Sequence, residues 1–367
     1  MDTTLPRRRG ADHGLRQVPL HEALDAAEAP LPEKGILRIL ICRTSHSLGN
    51  TLLITPLLQE IEATWPGAEV DIVTRNAVAV DIFANYASVR EVYCLPKRAL
   101  RRPLLWLRHL RSLRRNRYDL VVDTDQRSRT GRALLSLSHA RYKLGFAGKR
   151  RSRALTHAVD AGQAPEHAGL APVYLLRSAM QRTAQHDYPG LAVRLGDDER
   201  EQGRQILQRL AHVEVAHVED QLGHGSSPII GVFANATGHK LLDRAWWRAF
   251  LPPVEAAYPG FTFIEIAPAS GASMLDSRYP VYYSSSVRKL SKVLSNLSML
   301  ITLDCGVMHL ARASGTRTAA VFTVTNPDEW GPYGPGAHVV RAGGMSAEEA
   351  ARRLIDDVPM DFLQARS

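Results

Sequence analysis

This 367-residue sequence has few cysteines and no long apolar run, so it lacks the usual features of disulfide-rich and membrane-spanning proteins. Its three cysteines, Cys42, Cys94 and Cys305, lie singly in apolar segments, so we expect neither a disulfide framework nor a zinc site. No run of about 18 apolar residues is present, so we expect no transmembrane helix. The N-terminus has basic residues but no apolar stretch after them. We therefore expect no secretory signal and a cytoplasmic location.

The positive charge of the chain is local. The formal net charge is +9, but residues 97–117 carry nine Lys and Arg residues and no acid, and residues 141–153 carry six more without an acid. The remainder of the chain is net negative. The sequence therefore indicates an ordinary globular protein with cationic patches rather than a uniformly basic one. Its 45% hydrophobic and 23% charged residues also exclude a disordered or membrane-spanning chain.

The first basic run predicts an amphipathic surface helix over residues 101–117. Arg108, Arg111 and Arg115 share the face opposite Trp106 and the leucines that follow it. Solvated arginines on a packed helix are the ordinary interpretation. Nine cations without an acid favour an acidic partner, which is an anionic lipid, a glycolipid or a nucleic acid. Nucleic acid ranks last and is not expected, because no nucleic-acid motif or aromatic platform accompanies the helix.

Apolar runs alternate with helical patterns from residue 36 onward, which predicts βαβ units and parallel sheets. We predict strands at 36–42, 69–74, 91–95, 119–123, 227–233, 261–267, 299–304 and 318–323. The alternation restarts after residues 184–226, so two similar α/β halves with a cleft between them are expected. Ligands of such sheets bind beyond the carboxyl ends of the strands.

Two loops of the second half follow apolar strands and suit a phosphate group. Asp304-Cys305-Gly306 opens a helix, His309 lies one turn further, and the helix dipole favours an anion there. Thr237 and Lys240 follow another strand and could contact and neutralise the same phosphate. The alternative is an N-capping Asp304, a packed His309 and a solvated lysine.

Two loops of the first half are the other candidates. Residues 43–50 contain Gly49 at a strand end and open a helix, which suits an anion, although a plain loop with a capping Ser47 or Asn50 is an equal alternative. Asp123 and Asp125 form an Asp-x-Asp after a strand. This pattern is typical of a metal-dependent nucleotide-sugar site, but it is common by chance and strand-end turns also explain it.

At these loops the sequence resembles the ADP-heptose heptosyltransferases of glycosyltransferase family 9. Ser47-Leu48-Gly49-Asn50 with Thr55-Pro56-Leu57 resembles the S-L-G-D…T-P-L opening of the family. Asp304 to Ala311 with Gly315-Thr316 resembles D-[ST]-G-x-x-H-L-A…G-T, and Thr325-Asn326-Pro327 with residues 330–334 resembles T-x-P…W-G-P-Y-G. The match runs over residues 36–345 in order.

The resemblance implies a GT-B architecture of two facing Rossmann-like domains with parallel sheets and an interdomain cleft. It divides the chain into a tail (1–35), an acceptor-side domain (36–190), a nucleotide-sugar domain (191–345) and a C-terminal helix that crosses back to the first domain (346–367). Thr237, Lys240, Asp304, Cys305, Gly306 and His309 fall at its donor-binding positions. It also implies inversion at the anomeric carbon, no cofactor and no metal.

Asn50 departs from the family, in which aspartate at this position is the general base. A neutral amide does not accept a proton at working pH. Three interpretations stay open. Another group replaces the base, His46 first and Asp123 or Asp125 next; or Asn50 only orients an easily activated acceptor; or the chain binds its donor and transfers poorly. Cys305 is a second departure, because the family has a hydroxyl there.

We therefore predict an inverting glycosyltransferase that uses a nucleotide-diphosphate sugar, most simply ADP-heptose. The acceptor is an anionic surface glycan of lipopolysaccharide type, its glycolipid precursor, or a protein. Peripheral contact with the inner face of the cytoplasmic membrane is expected through Arg108, Arg111 and Arg115. A GT-B nucleotide-sugar epimerase and a degenerate donor-binding scaffold are the alternatives.

Overall fold

The protein is described by a computed structural model that covers residues 29–96, 103–126, 128–148, 154–183, 187–215, 228–360 and 363. Most of the predicted tail, the start of the first basic run and the end of the second lie outside the described residues. The described chain forms two α/β units, each built on a six-stranded parallel sheet.

The first unit holds its sheet between layers of helices. Its strands stand in the order β3-β2-β1-β4-β5-β6. They are β1 (Arg38–Cys42), β2 (Glu69–Thr74), β3 (Val89–Cys94), β4 (Arg117–Asp123), β5 (His139–Phe146) and β6 (His157–Val159). Its helices are α1 (Leu48–Leu52), α2 (Thr55–Thr64), α3 (Ala79–Phe83), α4 (Pro103–Arg115), α5 (Arg129–Leu137) and α6 (Ala171–Ala179). The central strand β1 is buried after Arg38, as a parallel strand covered on both faces must be.

The second unit repeats this topology, with strands in the order β12-β11-β10-β7-β8-β9. The strands are β7 (Ile229–Phe233), β8 (Thr262–Ile266), β9 (Val281–Tyr282), β10 (Met299–Leu303), β11 (Thr318–Phe322) and β12 (Ala337–Arg341). The helices are α7 (Asp197–Val215), α8 (Arg244–Ala257), α9 (Val287–Leu294), α10 (Gly306–Ala313), α11 (Pro327–Trp330) and α12 (Ala347–Asp357). The predicted α/β class with two Rossmann-like parallel sheets is confirmed.

Two local predictions are wrong. The single helix expected after residue 50 is broken into α1 and α2 at Leu53 and Ile54, and Pro56 lies in the first turn of α2, where its missing amide hydrogen costs nothing. The segment expected to interrupt the pattern contains the 19-residue helix α7. Few apolar residues mark that helix, because it packs mainly against α9 on one side.

The C-terminal helix does not cross back to the first unit within the described residues. Helix α12 packs against α8 and β12, and the Tyr258 hydroxyl donates a hydrogen bond of 2.7 Å to the Val358 carbonyl. Leu363 belongs to the same hydrophobic core. The described residues of α12 therefore pack on the second unit.

The connection between the units is anchored on both sides. The Tyr86 hydroxyl donates to the Ala192 carbonyl at 3.0 Å, and Arg288 Nη1 on α9 donates to the Val193 carbonyl at 2.7 Å. These bonds hold the segment at Ala192 and Val193, which joins the two units, between α3 of the first unit and α9 of the second. The carboxyl ends of the two sheets therefore stay adjacent. Over the described part of the chain, no helix has the length and apolarity needed to cross a bilayer.

Candidate active site

Neighbouring parallel strands bring the candidate loops together at two sheet edges. In the second unit β7 pairs with β10, so residues 234–240 and 304–309 leave the sheet side by side. In the first unit β1 pairs with β4, so residues 43–50 and 123–126 do the same, and Thr44 Oγ1 lies 2.7 Å from Ser128 Oγ. Both pairs occupy the carboxyl ends of their strands, where α/β sheets bind ligands.

Asp304 organises the loop cluster of the second unit. Its buried carboxylate accepts a hydrogen bond of 3.1 Å from Lys240 Nζ, and its Oδ2 atom also accepts one from the Thr325 hydroxyl. Three loops that follow β7, β10 and β11 therefore converge on one oxygen. Because Asp304 is already paired with Lys240, its role is to hold that cation in place rather than to meet an anion itself.

The N-terminus of α10 lies next to this ion pair. Cys305 is its N-cap residue in an extended conformation, and its side chain caps no backbone amide. Burial raises the pKa of the Cys305 thiol, so the group is neutral, and Thr302 Oγ1 lies 3.4 Å from its sulfur. The amides of the first turn have no helical carbonyl as partner, and the helix dipole at this end favours an anion. Thr237 is exposed, one residue before a short 3-10 helix that carries Lys240.

The two units touch where α1 and α10 cross, and both helices have glycine at the crossing. A Cβ atom on Gly306 would lie 2.9 Å from Leu48 Cβ, and one on Gly49 would lie 2.7 Å from His309 Cδ2. Such contacts are too short for real side chains. Both glycines were expected to admit a ligand. In the structure they admit the helix of the opposite unit.

His309 is buried at this crossing. Burial lowers the pKa of its imidazole to about 4, and the nearby His167 adds to the effect. The ring is therefore neutral at pH 7. Its Nδ1 atom is buried without a hydrogen-bond partner among the described residues. An unsatisfied buried nitrogen costs folding free energy, and no group among the described residues offsets that cost here.

Hydrogen bonds to three residues of the loop in the first unit fix Asn50. Arg43 Nη2 donates to Asn50 Oδ1 at 3.0 Å, and Arg43 Nε donates to the Asn50 carbonyl at 3.2 Å. Asn50 Nδ2 donates to Ser45 Oγ at 3.0 Å, and the Asn50 backbone amide donates to Ser47 Oγ at 3.2 Å. Ser47 is the N-cap of α1, as expected. The Asn50 side chain is thus held rigidly with one amide hydrogen still available to a ligand.

The three candidate bases differ in accessibility. His46 is exposed in the same loop, and Asp125 is half-buried after β4. Asp123 is fully buried, and its carboxylate accepts a hydrogen bond of 2.9 Å from Arg132 Nε. Burial raises the pKa of Asp123 to about 6 against the opposing effect of Arg132. Asp123 is therefore a structural partner of α5 that a substrate does not reach.

Arg43 connects Asn50 with the acidic residues. Burial lowers the pKa of its guanidinium, and the carboxylates of Asp125 and Asp123 oppose that shift. Asp125 thus lies within electrostatic reach of the group that holds Asn50. Among the described residues, no cluster of three or more His, Cys, Asp or Glu side chains is arranged to hold a metal ion.

Helix α4 carries the predicted basic face. Arg108, Arg111 and Arg115 are exposed, whereas Leu113 on the opposite face is buried in the core. Leu104 and Leu107 are also exposed, at 82% and 53%. The arginines and leucines line a groove of about 690 Å³ between α4 and β3. The surface is therefore both cationic and apolar.

Two contributors to the site were not predicted as site residues. Thr325 belongs to a motif in the sequence, but its bond to Asp304 joins loops 21 positions apart. Arg43 opens the candidate loop, and its bond to Asn50 follows from a turn that returns the chain upon itself. A polar residue at each strand end was the available signal, because parallel strands gather such residues at one edge.

Comparison with known proteins supports the resemblance to the heptosyltransferases that the sequence motifs indicate. The model of "Glycosyltransferase family 9 (heptosyltransferase)" matches residues 284–354. Lipopolysaccharide heptosyltransferase 1 of Pseudomonas aeruginosa is 26% identical in an alignment 319 positions long, and the match covers 81% of this chain and 82% of that protein.

Two solved structures share the fold. The glycosyl transferase family 9 protein of Veillonella parvula superposes with a TM-score of 0.70 at 16% identity, over 90% of this chain and 98% of that one. The E. coli heptosyltransferase WaaC with ADP gives a TM-score of 0.66 at 21% identity, over 87% and 99%. The Asp304–His309 loop lies inside the matched family segment. These similarities confirm the resemblance that the sequence motifs indicate: the chain is a glycosyltransferase with the fold of these two structures, and its residues 284–354 match the family 9 model.

Proposed function

We propose that this enzyme transfers a heptose from ADP-heptose to a hydroxyl group of an anionic surface glycan or its lipid-linked precursor, with inversion at the anomeric carbon. Residues 36–190 take the acceptor and residues 191–345 take the donor. The observation that carries the proposal is the Lys240–Asp304 pair at the N-terminus of α10, which faces the loop of the first unit across the Gly49–Gly306 contact. The name of the Pseudomonas relative supports heptose and a lipopolysaccharide-type acceptor.

The donor diphosphate binds at the loops of the second unit. Lys240 supplies the cation, and the amides at the start of α10, including those of Cys305 and Gly306, supply hydrogen bonds. His309, one turn into the same helix, borders this site, and the exposed Thr237 hydroxyl adds a further hydrogen bond. These groups also stabilise the negative charge that grows on the diphosphate as it leaves, which is where electrostatic catalysis is most effective.

The acceptor hydroxyl enters from the first unit. Its oxygen attacks C1 of the sugar, the bond from C1 to the diphosphate oxygen breaks, and the hydroxyl proton passes to His46. Asn50 orients the hydroxyl, because its amide is fixed by Arg43 and Ser45. Asp125 takes the proton if His46 does not, since it is half-buried near Arg43. A base of either kind contributes about 10²–10⁴-fold.

Helix α4 binds the anionic acceptor or the lipid surface that carries it. Arg108, Arg111 and Arg115 attract phosphate groups, and the exposed Leu104 and Leu107 suit the acyl boundary of a membrane. The proposal places the enzyme at the inner face of the cytoplasmic membrane. Metal independence is a prediction of the resemblance, and unchanged turnover in the presence of EDTA checks it.

One observation favours a second candidate, a donor-binding protein without transferase activity. Asn50 stands where a general base is expected, whereas the donor loops are complete. Incubation with ADP-heptose and a panel of anionic glycan and glycolipid acceptors separates the two. Acceptor-dependent release of ADP supports transfer, and NMR of the product reads the anomeric configuration. Tight ADP binding with no ADP release from any acceptor would support the second candidate.

A further inference from the structure

Residues 166–169 of the first unit form a second contact with the second unit, separate from the crossing of α1 and α10. The Ala168 amide donates a hydrogen bond of 3.0 Å to the Glu329 carbonyl, and Asn326 Nδ2 donates one of 2.6 Å to Glu166 Oε1. His167 makes the third bond, and it is buried at 8% exposure. We call this contact the interdomain clasp.

The bonds of His167 determine its protonation state. The Gly169 amide donates to Nδ1 at 3.1 Å, so that nitrogen carries no proton. The hydrogen must therefore be on Nε2, which donates to the Gly331 carbonyl at 2.8 Å. Burial lowers the pKa of His167, which agrees with a neutral ring. The same imidazole thus joins its own loop to the other unit.

The segment that the clasp holds leads directly to the donor site. Thr325, which bonds the Asp304 carboxylate, is the residue before Asn326. At the far end of the segment, the Tyr333 ring packs against His167 with centroids 4.7 Å apart, and its hydroxyl donates to the Pro189 carbonyl at 2.9 Å. Residues 325–333 are therefore fixed to the first unit at four residues, Asn326, Glu329, Gly331 and Tyr333, and to Asp304 at one, Thr325.

We propose that His167 is a positioning residue for sugar transfer. By holding residues 325–333 against the first unit, it keeps the Asp304–Lys240 pair in register with the acceptor loop at residues 43–50. Donor binding itself needs only groups of the second unit. Transfer needs both units, and a displacement of about 1 Å between reacting groups costs as much as ~10²-fold in rate. Loss of the clasp therefore lowers kcat and leaves ADP affinity unchanged.

The test compares His167→Ala, His167→Gln and the control His139→Ala, which removes an exposed histidine of the first unit. The kinetic part rests on the proposed function and uses ADP release from ADP-heptose with an acceptor. We expect kcat of His167→Ala to fall about 10–100-fold with the ADP Kd within twofold of wild type. Glutamine offers one donor and one acceptor, so it should recover most of kcat.

Small-angle X-ray scattering of the ADP-loaded proteins gives a second readout that needs no activity. His167→Ala should have a larger radius of gyration than wild type and than His139→Ala, because the units separate. Wild-type kcat and wild-type scattering for His167→Ala would overturn the proposal. Equal losses of kcat, ADP affinity and thermal stability without recovery by glutamine would also overturn it, in favour of a purely structural role. If wild type does not turn over ADP-heptose, the proposed function fails while the scattering comparison still decides on the clasp.

Discussion

In the second unit, the loop after β10 places Asp304 against Lys240 and Thr325, whereas in the first unit the loop after β1 places Asn50 against Arg43. Both loops follow the central region of a six-stranded parallel sheet with the same strand order. In each loop a polar side chain is held by a cation: Asp304 directly follows β10, and Asn50 lies in α1. The side chain held in the second unit is a carboxylate, and the one held in the first unit is an amide.

We propose that this difference reflects a division of work between the two units. Recognition of a diphosphate needs a fixed cation and a helix N-terminus, and the second unit has both. Activation of a hydroxyl needs a base, and the first unit keeps the geometry of the loop without the acid at residue 50. We infer that donor chemistry is conventional here and that the acceptor side is where this enzyme differs. The predictions below test that division.

The largest loss is expected for Lys240→Ala. This change removes the cation beside the α10 N-terminus and leaves Asp304 buried with Thr325 as its remaining described partner. We expect kcat/KM with ADP-heptose to fall roughly 10²–10³-fold, as for other removals of a group that stabilises developing charge. Lys289→Ala, an exposed lysine on α9, is the matched control and should behave like wild type. A loss below threefold for Lys240→Ala would contradict the donor assignment.

His46→Ala should cost at least about 100-fold in kcat if His46 is the base. Near-normal turnover of this variant would show that His46 is not the base. Asp125→Asn would then test the next candidate. The double variant His46→Ala/Asn50→Asp sharpens the comparison, because a carboxylate at residue 50 can accept the proton itself. Arg43 keeps that carboxylate ionised and weakens it as a base, so we expect about tenfold recovery rather than full activity.

The buried His309 predicts a pH dependence of stability. Its folded pKa of about 4 lies below the ordinary value of 6.5. As the pH falls, His309 is protonated in the unfolded chain before it is protonated in the folded one. The stabilisation that comes from its neutral form is therefore complete above pH 6.5 and is lost as the pH falls towards 4. Between pH 7 and pH 5 it amounts to roughly 2 kcal/mol of unfolding free energy. Urea unfolding of His309→Gln should show a smaller loss over this interval by about that amount. Equal losses in both proteins would show that His309 does not titrate in this way.

Gly306→Ala should lower kcat about tenfold, because the added Cβ atom would lie 2.9 Å from Leu48 Cβ and force the units apart. Gly67→Ala is the control, since nothing lies within 4 Å of a Cβ atom at that glycine. Unchanged transfer by Gly306→Ala would mean that the crossing of α1 and α10 tolerates separation.

The smallest effect is expected on the surface of α4. Arg111→Gln should weaken binding to phosphatidylglycerol-containing vesicles about fivefold, since a surface cation contributes about 1 kcal/mol to such binding. Co-sedimentation at two salt concentrations measures it. Arg353→Gln on α12 is the control, because that exposed arginine lies on the second unit. Equal, salt-insensitive binding by both variants would contradict the membrane proposal.

The fold followed from the sequence wherever strands were uninterrupted apolar runs. Strand β10, MLITL, is wholly buried and was predicted. Strand β5 was missed because HARYKLGF contains three basic side chains and is only partly buried. Strands β6 and β9 were missed because they have three and two residues. Periodicity does not identify such short or edge-like strands.

The candidate site was only partly predictable for a different reason. Asp304, Lys240 and Asn50 each follow a strand, and that position marks them in the sequence. The bond from Thr325 to Asp304 and the contact of Gly49 with His309 join segments that only the tertiary structure brings together. Gly49 and Gly306 were expected to make room for a ligand, whereas in the structure they make room for the helix of the opposite unit.

The binding of ADP to Lys240→Ala and His46→Ala, measured by isothermal titration calorimetry, tests the division between the units most directly. We expect Lys240→Ala to raise the Kd for ADP at least about tenfold, because a charge-assisted bond is lost. We expect His46→Ala to bind ADP within twofold of wild type while losing transfer. Wild-type ADP affinity in Lys240→Ala, or weakened affinity in His46→Ala, would contradict this division.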